Sequence, residues 1–291
     1  MQRWMSSKVS LVGGSAGSRQ LQHLLRFPPQ PAETWRPAVT VCYAQSIDGC
    51  IAAARGVPTR LSGPESMVLT HELRARHDAI LVGVGTVLAD DPSLSTRLVA
   101  GPSPRPIVLD SRLRTPVSAR LFRALEGGAP RRPIIICDTD DASPEFAARA
   151  RALGEAGASV VRVRRVRSAS PGFAGASPGF EAAQRVRSFL AALTNEAPLV
   201  RAVMVEGGAE VIRSFLAAGV VDALCITTAP LLLAGGPRFG DSGGHGGSRG
   251  GEGDERVLPS RIELGCVAYE QLGEDVVLFA TVETRASEPR P

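Results

Sequence analysis

Three arginines, three aspartates and two glycines crowd one stretch, Thr70 to Arg97, which reads THELRARHDAILVGVGTVLADDPSLSTR. Arg74 and Arg97 carry guanidinium forks that match phosphate or carboxylate oxygens. Asp90 and Asp91 add acceptors. Gly83, Gly85 and Thr86 follow the apolar run Ala79-Ile80-Leu81-Val82. Bare backbone at the C-terminal end of a buried parallel strand is where open α/β sheets take ligands. A second segment repeats this layout. Leu199 to Val205 is strand-prone and runs into Glu206-Gly207-Gly208-Ala209-Glu210, then an apolar helix through Ala218. Amides at a helix N-terminus attract phosphate, so two such junctions suit a dinucleotide. Glu206 can accept hydrogen bonds from two neighbouring sugar hydroxyls. The first junction departs from the GxGxxG fingerprint, because Leu88 stands where the third glycine belongs; by itself it reads as a tight strand-to-helix turn. Ser111 and Arg112 follow a further strand and could hold a nucleotide 2′-phosphate, which favours NADPH over NADH. Otherwise Arg112 is a solvated loop residue.

Other chemistries lack their residues. No Walker sequence or Cys–His pattern is present. The chain has four histidines but no HxH or HExxH, so no metal site is expected. A cofactor that carries a hydride fits a chain without a nucleophile, the protein supplying position and electrostatics. Net charge is +4, yet aromatics are only 4% and the arginines are scattered. Without a stacking platform or a basic cluster, nucleic acid is not the expected partner; a phosphorylated small molecule explains the charge. No apolar run reaches transmembrane length. Five cysteines, Cys42, Cys50, Cys137, Cys225 and Cys266, form no CxxC pair. Their odd count and the apolar flanks of Cys137 and Cys225 imply reduced, buried thiols in a reducing compartment.

The positioning elements follow from pattern. Val39 to Ala44 is a strand that meets the turn Ser46-Ile47-Asp48-Gly49, and Ile51-Ala52-Ala53 is expected to continue beyond it. Asp48 reads as a turn-former before it reads as an acid. Ser62 or Gly63 caps a helix that begins Pro64-Glu65. Leu69 and Leu73 face the core, with Thr70, Arg74 and His77 on another face. Strands at Pro106 to Asp110, Pro133 to Asp138 and Ser159 to Val163 alternate with a helix from Pro144 to Ala156. That alternation implies βαβ units and a largely parallel sheet. A helix from Glu181 to Leu193 and a strand from Ala223 to Ala229 follow. Arg261 to Ala268 and Val276 to Thr284 close the chain as an antiparallel pair. Residues 1–37 read as a flexible extension; being Arg- and Ser-bearing and acid-poor, they also fit an organellar transit peptide. Residues 168–180, with ASPGF twice, and 240–255, rich in Gly and Ser, read as low-complexity insertions, and 286–291 as a tail.

Four blocks carry a resemblance: Tyr43-Ala44-Gln45-Ser46-Ile47-Asp48-Gly49; Thr70 to Arg97; Arg105-Pro106-Ile107-Val108-Leu109-Asp110; and Val205-Glu206-Gly207-Gly208 with Ala229-Pro230. Together they resemble the pyrimidine reductases of riboflavin biosynthesis across about Val39 to Thr284. The resemblance implies a dihydrofolate-reductase-like α/β fold: a mostly parallel mixed sheet flanked by helices, with C-terminal antiparallel strands, over residues 38–285. It implies NADPH, with NADH the alternative, held by Ala44, Thr86, Asp90, Ser111, Gly207, Gly208, Ala209, Glu210 and Val211. It implies a phosphorylated pyrimidine met by Arg74, Leu94 and Arg97, the guanidiniums at its 5′-phosphate, and Glu206 on the ribose chain. The implied reaction is hydride transfer to C1′, turning ribosylamino into ribitylamino. A homodimer in the cytoplasm is implied too, or an organelle should the extension be a transit peptide.

Two departures narrow the resemblance. No HxE and PCxxC precede the reductase blocks, so the zinc deaminase of bifunctional members is not expected here. Cys42 stands where many bacterial members have Lys. Both features point to the fungal type and to the 2,5-diamino substrate. The deaminated 5-amino-uracil is the alternative. A non-catalytic nucleotide binder would not need Arg74, Arg97 and Glu206 together, and folates have no 5′-phosphate for the arginines to meet.

Overall fold

The structure is a computed structural model that describes residues 35–123, 131–138, 143–163, 178–238 and 262–283. The expected insertion at 240–255, the tail at 286–291, residues 1–34 of the extension and residues 168–177 of the other insertion lie outside the described residues.

The strands are β1 (Ala38–Ser46), β2 (Ala79–Gly83), β3 (Arg105–Leu109), β4 (Ile134–Asp138), β5 (Ser159–Val163), β6 (Ala202–Val205), β7 (Ala223–Ala229), β8 (Glu263–Leu272) and β9 (Asp275–Glu283). The helices are α1 (Pro64–Arg76), α2 (Val84–Asp90), α3 (Pro144–Glu155), α4 (Pro178–Glu196) and α5 (Ala209–Ala217). All nine strands form one sheet in the order β5-β4-β3-β2-β6-β1-β7-β9-β8. From β5 to β7 every pairing is parallel. β9 then runs antiparallel to β7, and β8 antiparallel to β9. The fold is therefore the mixed, mostly parallel α/β sheet that the alternating pattern implied. The chain steps outward from β2 to β5, then returns so that β6 inserts between β2 and β1. Strand ends that diverge in this way mark the ligand edge of an open sheet.

Alternation along the strands sorts side chains to two faces. Ala79 and Leu81 join Val39, Val41, Ile107 and Val203 under α4 and α5, where Phe189 and Phe215 meet edge-on at 6.4 Å. Ile80, Val82 and Val108 point the other way, against Val84 and Val87 of α2 and Phe146 of α3. A third cluster packs Leu69 and Leu73 of α1 on Cys42, Met204, Cys225 and Phe279. Gly63 is the N-cap of α1 and has no capping side chain of its own; Asp275 Oδ2 instead accepts its amide at 2.8 Å.

Three expectations need correction. The extension does not reach residue 37: Arg36 is buried and forks onto Asp222 at 2.7 and 2.9 Å, tying the start of β1 to that of β7. Ile51 to Ala53 do not continue a strand. Cys50 bridges to Arg238 instead, and Ile51 N bonds Pro237 O, because Asp48 binds the chain to the 231–238 loop. Asp48 accepts from the Ser46 hydroxyl and from Leu233 N and Ala234 N, which holds its carboxyl below the usual range. Leu199 is exposed and precedes β6, which begins at Ala202.

Candidate active site

The two glycine junctions lie side by side. β2 and β6 are neighbours with Leu81 opposite Val205, and Glu206 N donates to Leu81 O at 2.9 Å. Val211, in the first turn of α5, fills the gap between them. A Cβ on Gly207 would sit 2.5 Å from the Cβ of Val211, and one on Gly83 would sit 2.9 Å from its Cγ2. The Cβ side of these two glycines is therefore taken by a valine. Gly85 and Gly208 are different: nothing lies within 4 Å of an added Cβ at either. Helix α2 is a single short element of seven residues that begins directly at Val84.

Arg74 does not stand free. Its Nε donates to Glu206 Oε1 at 2.7 Å and its Nη2 to Oε2 at 2.6 Å, while Nη1 donates to Ser95 O at 3.2 Å. Burial works against this cation, but Glu206 outweighs it and holds the Arg74 pKa up. Sequence reasoning gave Arg74 to phosphate and Glu206 to ribose separately; the fold makes them one bidentate unit. Arg97 is exposed, and among the described residues its side chain makes one marginal hydrogen bond, 3.5 Å to Ser93 Oγ. Burial, then the charges of Arg74 and Arg120, pull its pKa down.

The loop that carries Arg97 is pinned residue by residue. Asp91 accepts Arg120 N, Thr96 N donates to Ser103 Oγ, and Arg97 N donates to His71 Nδ1 at 3.0 Å. Asp91 and Leu94 have positive φ, 40° and 50°. The Leu94 side chain is buried against Ile80 and Val82, so only its backbone is free to meet a ligand. Two residues here escaped sequence reasoning. His71 is buried, and burial followed by Arg74 pushes its pKa down to about 3, so its Nδ1 remains an acceptor. Its position three residues before Arg74 was the available signal. Arg131 donates to the carbonyls of Ser93, Leu94 and Pro104. No local pattern marks it.

Beside the junctions, a pocket of about 420 Å³ opens between the ends of β3, β4 and β5 and helices α4 and α5. Asp110, Ser111, Glu210 and Val211 line it, together with Arg185 and Phe189. Asp110 Oδ2 is taken by Thr115, and its buried Oδ1 has no partner. Arg112 is exposed and absent from this lining, and its carbonyl accepts Arg149, so Arg185 is the guanidinium at the pocket. Ala44 and Thr86 are half-buried on the same strand-end edge. Asp90 is exposed at the surface, and partial desolvation raises its pKa from the ordinary carboxylate value. Ala209 and Glu210 open α5, behind Gly208 as its N-cap. Cys42 and Cys225 lie opposite each other in β1 and β7. Hydrogen bonding to Cys225, burial and the Glu206 charge keep the Cys42 thiol neutral.

Comparison with known proteins agrees with this architecture. The family model described as RibD C-terminal domain matches residues 37–278. A 2,5-diamino-6-ribosylamino-4(3H)-pyrimidinone 5′-phosphate reductase of Debaryomyces hansenii is 33% identical over 217 residues, covering 72% of this chain and 81% of the relative. A protein of the same name from Methanothermobacter thermautotrophicus is 32% identical over 251 residues, covering 85% and 99%. The solved riboflavin biosynthesis reductase Rib7 of Saccharomyces cerevisiae is 25% identical with a TM-score of 0.55, covering 91% of this chain and 100% of that one. With a matching family model across most of its length and relatives above 30% identity, this chain belongs to the RibD C-terminal domain family.

Proposed function

We propose that this protein reduces the ribosylamino side chain of 2,5-diamino-6-ribosylamino-4(3H)-pyrimidinone 5′-phosphate to ribitylamino, with NADPH as hydride donor. The observation that carries this reading is the meeting of the two glycine junctions at Val211, with Glu206 beside them and Arg97 exposed on the adjoining loop. The residues fit a dinucleotide. Gly85 and Gly208 leave open space, the N-terminus of α5 with its positive dipole end follows Gly208, and the 420 Å³ pocket takes an adenosine end with Ser111 and Arg185 at its wall. Ala44, Thr86, Asp90 and the Gly207–Val211 backbone border the rest of that path.

When bound, the cofactor supplies a hydride to C1′. The protein does the positioning. Arg97 and the amides of the Ser93–Ser95 turn meet the 5′-phosphate. Each Glu206 oxygen keeps a lone pair beyond its bond to Arg74, and these accept the ribose hydroxyls. Arg74 fixes the carboxylate in its ionised form and in one orientation. The accompanying proton comes from solvent: His71 is held unprotonated, and Cys42 is held too weak an acid to give its proton up. Four buried free thiols fit a reducing compartment, and the reading places the enzyme in the cytoplasm. Leu232 in the Pro230–Ala234 loop and neighbouring Ile47 are well exposed, which supports a homodimer contact there. No helix among the described residues is long and apolar enough to cross a membrane.

The test is NADPH oxidation with the 2,5-diamino compound and its deaminated counterpart side by side. The expected outcome is turnover of the diamino compound at the higher kcat/KM, with NADPH bound more tightly than NADH. Oxidation with neither compound sinks the proposal, and preference for the deaminated one reverses the order of reactions.

A further inference from the structure

Four guanidiniums surround the 91–97 loop, those of Arg74, Arg97, Arg120 and Arg131. Among the described residues only Arg74 has a carboxylate partner. Arg131 is the least expected of the four, because it faces carbonyls alone. Its Nη1 donates to Leu94 O at 2.7 Å and Pro104 O at 2.6 Å, and its Nη2 to Ser93 O at 3.1 Å. Burial, then the neighbouring charge of Arg74, pulls its pKa down to about 10. A cation half-removed from water beside other cations is unfavourable unless something compensates it.

The backbone it grips is also held against its preference. Leu94 has φ of +50°, a region that large side chains avoid. Such conformers persist only where the surroundings over-determine them, and they gather at ligand clamps. Here Arg131 holds the Ser93 and Leu94 carbonyls, Arg74 holds the Ser95 carbonyl, and the Leu94 side chain is buried. With the carbonyls drawn back by arginine, the Ser93, Leu94 and Ser95 amides make no hydrogen bond among the described residues. Successive amides in a turn of this kind form a concavity that attracts anions.

We infer that Arg131 is a positioning residue for the substrate's phosphate: it locks the Ser93-Leu94-Ser95 turn so that its amides and Arg97 converge on the anion, and it adds a fixed charge that has no carboxylate partner among the described residues. The inference rests on the reading that this loop meets a sugar phosphate. It assigns Arg131 no contact with the substrate. The planar fork matters, since one ammonium cannot span three carbonyls.

The experiment uses the full chain with Arg131→Met and Arg131→Lys. Ribose 5-phosphate serves as a probe by calorimetry, and turnover is measured on the phosphorylated pyrimidine and on the same compound without its phosphate. Arg131→Met is expected to weaken ribose 5-phosphate and raise KM for the phosphorylated substrate about 10–100-fold, the loss of one to two charge-assisted contacts. KM for the dephosphorylated compound and Kd for NADPH should stay within about twofold, an effect smaller than one ordinary hydrogen bond. Arg131→Lys should recover part of the loss. It also serves as the deciding variant should the Met protein fail to fold. Unchanged ribose 5-phosphate affinity, or equal losses with and without the phosphate, overturns the inference. Absence of NADPH oxidation in the wild type overturns the functional reading instead, while the ribose 5-phosphate titration still reports on Arg131.

Discussion

Helix α1 and the 91–97 loop each bring one arginine to the same edge of the sheet, and the two behave in opposite ways. Arg74 is buried, bidentate on Glu206 and bonded to Ser95 O, with all its nitrogens engaged. Arg97 is exposed and nearly unencumbered. The same division recurs in the glycines. Gly207 is packed against Val211, whereas Gly208 faces open space. In both pairs one member frames the site and the other is left for a ligand. Residue type alone would have assigned both members the same task.

Replacing the framing arginine should have the largest effect. Arg74→Met strands Glu206 as an uncompensated, mostly buried carboxylate, and stability should fall by about 3–5 kcal/mol in urea unfolding. A loss under 1 kcal/mol would mean that water already shares the pair. Arg97→Ala should leave the unfolding midpoint unmoved and weaken the phosphorylated substrate by about 1.5–3 kcal/mol, seen as KM with NADPH Kd constant. If Arg97→Ala destabilises the fold as Arg74→Met does, the distinction between frame and rim is lost. The glycines sharpen it. Gly207→Ala forces its Cβ onto Val211 and should cost about 1–3 kcal/mol of stability. Gly208→Ala has φ of −69° and free space, so stability should hold while NADPH binding weakens. A Gly208→Ala protein that binds NADPH as before would remove that glycine from the cofactor path.

The last test reads a pH slope, not a loss at one condition. His71 has a folded pKa of about 3, below the ordinary 6.5. Between those values the unfolded chain binds the extra proton, so stability falls as pH drops from 6.5 towards 3 and the loss is complete below that. His71→Asn keeps an acceptor for Arg97 N but does not titrate. Its stability–pH curve should lose the slope of about one proton in this window. An unchanged slope would show that the imidazole protonates freely in the folded state.

The strands were legible because their residues are short apolar runs of alternating face, bounded by Gly, Pro and Asp. Ala223–Ala229 and Ser159–Val163 fall where pattern put them. The second-junction helix and the final antiparallel pair were legible for the same reason. The hairpin drawn beyond Asp48 was not, because its true partners, Leu233 and Ala234, lie far along the chain. The packing that requires a glycine at residue 83 was not legible, because Val211 belongs to another βα unit.

Sequence by itself determined the parallel α/β class, the two glycine-edged junctions and the arginine-rich stretch, since these depend on local period and local turn chemistry. Tertiary structure decided which charges meet. Arg74 finds Glu206, the Arg97 amide finds the His71 ring, and Arg131 grips a turn from a separate part of the chain. Coulomb energy and hydrogen bonding depend on distance through space and on burial, and neither is set by spacing along the chain.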